Sequence, residues 1–204
     1  MKSLFRSVVA CAVLASAALS SPAQADDPQV ARLLGAKDTM RWNTPIGGDR
    51  YGHAEALVDA PADVVAKRAA EFNHYKELHR KFQTARVIAK EGDTTDVYMR
   101  YPVRIGPMTF ELHEVMRFQA TKQVGAAYVI EATGVKGDMS KGRTIIRVKP
   151  VDDKHSILEV DVLLVPQIPA PQSFIDEELR DGAFDFVNGL RDRSQPQPGP
   201  VTQL

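Results

Sequence analysis

Three groups of side chains in this 204-residue chain have the chemistry to hold a ligand or move a proton. Glu114 is the first. It falls on the apolar side of a stretch in which Met108, Phe110, Leu112, Met116 and Phe118 alternate with Thr109, Glu111, His113, Arg117 and Gln119. A lone buried carboxylate is costly unless it is paired, hydrogen-bonded or protonated. Either a bulge or a rim arginine relieves it, or it anchors a ligand hydroxyl or amine inside a cavity. His53 and Glu55, two apart on one strand, share a face and form the second group. They read as a rim pair or as acid–base groups pointing into a cavity. Tyr101 and Tyr128 are the third, each with an apolar body and a polar tip, suited to core packing or to ligand contact.

Other motifs dissolve on inspection. Gly137 to Thr144 nearly matches a phosphate-cradling loop, but Arg143 stands where the motif needs lysine. A β-branched run, Thr144-Ile145-Ile146-Arg147-Val148, follows where a helix must start. His74 and His79 are five apart and do not share a helical face, and no H-E-x-x-H occurs. Ser173, with Asp176 three residues on, reads as a helix cap, and no nucleophile signature is present. No catalytic residue is assigned, so Glu114, His53 and Glu55 are candidates only if the protein is an enzyme, which the chemistry does not demand. No metal site or cofactor is expected.

Residues 1–25 read as a secretory signal peptide: Lys2 and Arg6, an apolar run from Val8 to Leu19, and an A-x-A pattern ending at Ala25. That run is too short to span a bilayer. Too little apolar sequence precedes Cys11 for a lipoprotein anchor. Cleavage removes Cys11, the single cysteine, so roughly 180 residues fold with no disulfide or thiol. Lys2 and Arg6 leave with it, and the formal charge moves from 0 to 0 − 2 = −2. Nothing there suits a nucleic-acid binder. The expected location is outside the inner membrane, in a bacterial periplasm.

These side chains must be positioned by an α+β domain. Residues 26–50 read as an N-terminal extension, with a short helix at Val30–Leu34 and a loop at Thr44 to Gly48, and Trp42 packing it down or stacking on a ligand. A strand over Tyr51–Val58 leads to Asp59 as a helix cap and Pro61 in a first turn. Two short helices follow, then strands at 84–90, 95–104, 108–119, 126–133, 143–151 and 157–165. Gly134 to Gly142 reads as a loop. If Ile105-Gly106 closes the hairpin, Val103 faces Met108, Tyr101 faces Phe110, Met99 faces Leu112, Val97 faces Glu114, and Arg100 pairs with Glu111. A long helix over Ser173–Arg193 carries an apolar stripe of Ile175, Leu179, Ala183, Phe186, Val187 and Leu190, with Asp176 among the outward charges. Residues 194–204 read as a disordered tail.

The run Ala56 to Val65, with its strand-then-proline opening, the hairpin around Tyr101 to Met108, and Val165-Pro166-Gln167-Ile168-Pro169 before the last helix resemble the START-like (polyketide cyclase/dehydrase) superfamily. The resemblance covers about 51–193. It implies a helix-grip fold, a curved antiparallel sheet wrapped around a long C-terminal helix. It also implies a cavity for a hydrophobic molecule, such as a lipid or polyketide, and carries over no catalytic residue. The expected role is a carrier or sensor of a lipid-like molecule, with a cyclase or dehydratase as the alternative. A module with a filled interior and a protein partner is a third. The expected wall is Met99, Tyr101, Phe110, Leu112, Glu114, Tyr128, Ile130, Leu179, Phe186 and Leu190. Transient contact with a membrane or a transport protein is left open, as is the oligomeric state.

Overall fold

The computed structural model describes residues 27–36 and 38–195. The expected signal peptide, and the tail beyond residue 195, lie outside the described residues. In chain order the elements are α1 (Pro28–Ala36), β1 (Met40–Ile46), β2 (Asp49–Val58), α2 (Ala62–Ala69), a 3-10 turn at Phe72–His74, α3 (Tyr75–Leu78), β3 (Thr84–Glu91), β4 (Thr94–Ile105), β5 (Met108–Gln119), β6 (Lys122–Val124), β7 (Ala127–Gly137), β8 (Met139–Pro150), β9 (Ser156–Pro166) and α4 (Gln172–Ser194). All strands join one antiparallel sheet in the order β1-β2-β9-β8-β7-β5-β4-β3, with β6 alongside β7. The α+β layout expected from the strand and helix patterns is the one observed.

Local chemistry revises four details. The N-terminal extension contains a strand that was not expected, β1, whose Met40 to Ile46 pair with Glu55 to Asp49, so only Gly47-Gly48 of the expected loop is a turn and the sheet begins eleven residues before Tyr51. Likewise Gly134 to Gly142 is mostly strand, broken only between Gly137 and Met139. Helices α2 and α4 start on Pro61 and Pro171 with no side-chain cap bond, so neither Asp59 nor Ser173 caps. The hairpin turn is Gly106-Pro107, not Ile105-Gly106. Gly106 has φ 59, the left-handed conformation needed at the first central position of a II′ turn, and proline's fixed negative φ suits the second.

That turn moves the β4–β5 register by two residues. Ile105 faces Met108, Val103 faces Phe110, Tyr101 faces Leu112, and Met99 faces Glu114. A two-residue shift preserves the faces, so the apolar side stays intact. The expected Arg100–Glu111 pair does not form. Arg100 lies opposite His113, and Glu111 accepts from Gln83 at 2.9 Å.

The sheet has two differently dressed sides. Ala54, Ala56 and Val58 of β2 turn inward to a core with Val65, Tyr75, Met116, Phe118, Ile146, Val160, Phe186, Val187 and Leu190. The alternate positions face outward, where Val30 and Leu33 of α1 pack on Ile157 with Met40, Leu57 and Val151 beside it. Strand β2 is therefore covered on both sides, which is why it is buried almost continuously from Tyr51 to Ala56.

Helix α4 lies on the inner side and touches backbone directly. A Cβ on Gly52 would sit 2.1 Å from the Leu179 carbonyl carbon, and one on Gly189 2.4 Å from the Leu78 carbonyl oxygen. Its flanks are tied down by charge. Arg50 pairs with Asp176 at 3.1 Å and Arg41 with Asp181 at 2.5 Å; on the other side Lys81 pairs with Glu178 at 2.7 Å and Arg80 with Asp185 at 2.9 Å. Asp176, expected on the outer side, is thus buried against β1 and β2. It also accepts from Gln172 at 2.9 Å.

Gly52→Ala forces backbone apart and is expected to cost about 3 kcal/mol or more. Gly182→Ala in the same helix, where the nearest atom is the His79 Nε2 at 3.5 Å, is expected within about 1 kcal/mol of wild type. Urea denaturation of both variants checks the contrast; equal, small effects would show that α4 is not held by this contact.

Candidate functional site

Between α4 and the curled β4–β5 end of the sheet lies an apolar cavity of about 110 Å³. Met99, Tyr101 and Val103 of β4 form one wall with Leu112, Glu114, Met116 and Phe118 of β5, while Thr144, Val162 and Leu164 form the floor. Helix α4 closes it with Phe174, Ile175, Glu178, Leu179, Gly182 and Phe186. The segment His79–Phe82 covers the remaining side, latched to α4 by the Lys81–Glu178 and Arg80–Asp185 pairs.

Six of the wall residues expected from sequence meet here: Met99, Tyr101, Leu112, Glu114, Leu179 and Phe186. Four do not. Phe110 packs on the Tyr101–Val103–Leu112 cluster nearer the hairpin tip, Ile130 and Leu190 sit in the closed core, and Tyr128 packs against that core. Strand parity placed them on the right face, but parity carries no information about position along the strand. His79, Lys81, Phe82, Met139 and Phe174 were not expected in the wall, His79 having been weighed only as a metal ligand. They come from a connector, from a segment read as loop, and from the first turn of α4, where periodicity gives no signal.

Two polar groups are stranded in this apolar space. Glu114 is 2% exposed and its Oε2 has no hydrogen-bond partner; the buried Tyr101 hydroxyl has none either. Burial pushes the Glu114 carboxyl up to about 8, so it is largely neutral at physiological pH. Burial, with the nearby charge of Glu114 adding to it, pushes the Tyr101 hydroxyl well above its ordinary value. Neither a bulge nor an arginine rescues Glu114, so the relieved alternative is not what the chain adopts. Instead its carboxyl rests over Gly134 and Gly142: a Cβ there would lie 2.2 Å and 1.9 Å from its Oε1. Both glycines make the room.

His79 stacks on Phe82 with ring centres 4.7 Å apart, and its Nδ1 accepts from the Lys81 backbone N–H at 3.1 Å. Burial, reinforced by the Lys81 and Arg80 charges, lowers its pKa to about 4 despite Asp185 nearby. It is a neutral wall residue. His74 lies on the surface with Glu77, and His113 with Asp138.

His53 and Glu55 do share a face, with Nε2 and Oε2 3.9 Å apart, but it is the outer one. His53 donates from Nδ1 to Asp161 at 2.7 Å, Asp161 is bonded by Arg147, and Glu55 accepts from Gln29 of α1 at 2.6 Å and pairs with Arg32 at 2.6 Å. The Trp42 ring lies against the His53 ring, tilted by 39° with centres 4.3 Å apart, and so packs in this layer rather than in the cavity wall. Burial alone would lower the His53 pKa. The hydrogen bond to Asp161 and the charges of Asp161 and Glu55 outweigh it and raise it to about 9. The pair is thus a charged structural bridge under α1, on the opposite side of the sheet from the cavity. Among the described residues no cluster of His, Cys, Asp or Glu is placed to hold a metal ion, and no helix is long and apolar enough to cross a membrane.

No protein family and no curated protein sequence matches this chain. Solved structures do. A STAR-related lipid transfer protein from Xanthomonas axonopodis superposes with a TM-score of 0.64 at 14% identity, over 78% of this chain and 94% of that one. A START superfamily protein from Mycobacterium smegmatis gives 0.56 at 15% identity, over 70% and 94%. The Zhui aromatase/cyclase from Streptomyces sp. R1128 gives 0.51 at 13%, over 71% and 93%. At such identities the likeness establishes a shared architecture: the chain has the START-like helix-grip fold.

The buried carboxyl gives a signed pH prediction. Its folded pKa, about 8, lies above its unfolded value near 4.5, so its contribution is fully present below the unfolded value and is lost as pH rises through 8. Wild type is expected to lose stability across that window relative to Glu114→Gln, by up to about 1.4 kcal/mol per pH unit. Thermal melts of both proteins from pH 5 to 9 check this; parallel curves would place Glu114 in water.

Proposed function

We propose that this START-like protein is an exported carrier or sensor of a hydrophobic small molecule, held between α4 and the β4–β5 end of the sheet. The observation that carries the reading is an apolar cavity whose wall contains two unpartnered polar groups, Glu114 and Tyr101. A protein selected only for stability has no use for a buried carboxyl without a partner, whereas a ligand's polar group would satisfy it. At about 110 Å³ the closed cavity takes a small ring or a short chain. A longer chain requires the His79–Phe82 segment and α4 to part along their ion pairs. Desolvating a ten-carbon chain supplies roughly 8 kcal/mol gross at about 0.8 per methylene, much of it spent on association. Micromolar affinity, about 8 kcal/mol net, therefore needs the polar contacts of Glu114 and Tyr101 in addition to the chain. Export through residues 1–25 to a periplasm is the location that fits the N-terminal pattern. Mass spectrometry of the exported protein is expected to find it beginning at Asp26.

The lipid transfer protein among its structural neighbours supports a lipid-like ligand, and the aromatase/cyclase keeps a second reading in view. In that reading Glu114, protonated and facing the cavity, is the acid–base group, and the His53–Glu55 pair is excluded by its position. Glu114→Gln would then fold normally and lose turnover on a polyketide-like substrate.

For the carrier, purified protein is expected to release a hydrophobic molecule on solvent extraction, seen by mass spectrometry. The apo form is expected to bind N-phenyl-1-naphthylamine, with fluorescence enhancement at micromolar protein. Met99→Trp, which fills the cavity, is expected to weaken that binding about tenfold or more. An empty extract together with no probe binding would overturn the carrier reading.

A further inference from the structure

Glu114 and Tyr101 are not the only unused polar groups in the cavity wall. His79 accepts the Lys81 backbone N–H on Nδ1, so the proton of its neutral ring sits on Nε2. Among the described residues that N–H has no acceptor, and the side chain keeps 12% of its surface accessible. It faces Gly182 of α4. A Cβ there would lie 3.5 Å from Nε2, and both residues line the cavity.

Gly182 stands in the middle of α4, where glycine weakens a helix relative to alanine. Gly52 and Gly189 have a packing reason, because backbone lies where their side chains would be. Gly182 has none: its nearest neighbour is a ring nitrogen at ordinary contact distance. What the missing side chain provides is a notch. Glu178 and Leu179 one turn before it and Phe186 one turn after it also line the cavity, so the helix wall is indented at Gly182, opposite the His79 N–H.

The wall offers that notch no free charge. Lys81 Nζ holds both Glu178 oxygens, at 2.9 and 2.7 Å. Glu114 is largely neutral and His79 is neutral at physiological pH, burial opposing the charged form of each. Tyr75 donates to the Ala69 carbonyl at 2.7 Å. A carboxylate or an ammonium entering here leaves water and meets nothing of opposite sign. A hydroxyl accepts from His79 but brings a proton of its own to place. A carbonyl oxygen brings none.

Resting on the carrier reading, we infer that the ligand is an uncharged carbonyl compound, a ketone, ester or lactone, whose oxygen occupies the notch at Gly182 and accepts from His79 Nε2. Its apolar body lies along Met99, Leu112 and Phe186. Position 182 is glycine because any side chain there stands where the oxygen sits.

The test is displacement of bound N-phenyl-1-naphthylamine at pH 7 by three compounds of equal carbon count: hexyl methyl ketone, octanoate and octylamine. The ketone is expected to bind about tenfold more tightly than either ion. Gly182→Ala, which the packing tolerates, and His79→Phe, which keeps a ring against Phe82, are each expected to weaken the ketone about fivefold and leave the ions unchanged. The infrared carbonyl stretch of the bound ketone is expected at lower frequency in wild type than in hexane or in either variant. The comparison with hexane reads the hydrogen bond directly and holds even if a variant misfolds. Either ion binding as tightly as the ketone, a ketone that fails to displace a bound probe, an affinity untouched by both variants, or a bound stretch at its hexane frequency would overturn the notch and leave the carrier reading intact. Failure of all three compounds and of the probe itself would overturn both.

Discussion

The architecture depends on a contact with no side chain in it. Gly52 on β2 lets the backbone of α4 at Leu179 rest against the sheet, and Gly189 on α4 does the same against Leu78. The two points lie ten residues apart, roughly 15 Å along the helix. A helix fixed at that height on β2 and α3 cannot also settle onto β4 and β5, which approach it from the curled end. Large side chains reach across instead: Met99, Leu112 and Phe118 from the strands, Leu179 and Phe186 from the helix. The hollow is the remainder left when a tight contact at one place forbids a tight contact at another.

Polarity is sorted by the same sheet. Outside, beneath α1, buried acids are satisfied by His53 and by bases that reach in from the rim: His53 with Asp161, Asp161 with Arg147, Glu55 with Arg32 and Gln29, Glu159 with Lys149 at 2.6 Å. Burial opposes their charges, yet Asp161 and Glu55 stay below the ordinary carboxylate range because hydrogen bonds and opposite charges outweigh it. Inside, Glu114 has no such company, and its pKa moves the other way. One sheet thus carries two solutions to the burial of a carboxylate, compensation on one side and neutralisation on the other.

Strand parity made the inner face legible before any coordinates, and with it the anomaly of Glu114. It also survived an error. The turn at Gly106-Pro107 shifted the register by two residues, which moves every partner and no face. What parity could not show is depth along a strand, so Phe110 and Ile130 were placed with Met99 and Leu112 although they lie beyond the hollow. It also could not show which side of β2 is inside. His53 and Glu55 alternate with alanines, and either face is buried once α1 covers the back. Strand β1 was hidden by Thr44-Pro45, a pair that reads as a turn; at the sheet edge proline costs no ladder bond and is tolerated.

A carboxyl that is neutral only while it is dry has a kinetic meaning. Were α4 and the His79–Phe82 segment to separate and admit water to Glu114, its affinity for hydrogen ions would drop toward that of a free glutamate, and at neutral pH it would discharge one to the medium. Closing requires taking one back. If the hollow is the ligand site proposed above, ligand exchange and proton exchange share one cycle, and acid favours the closed form.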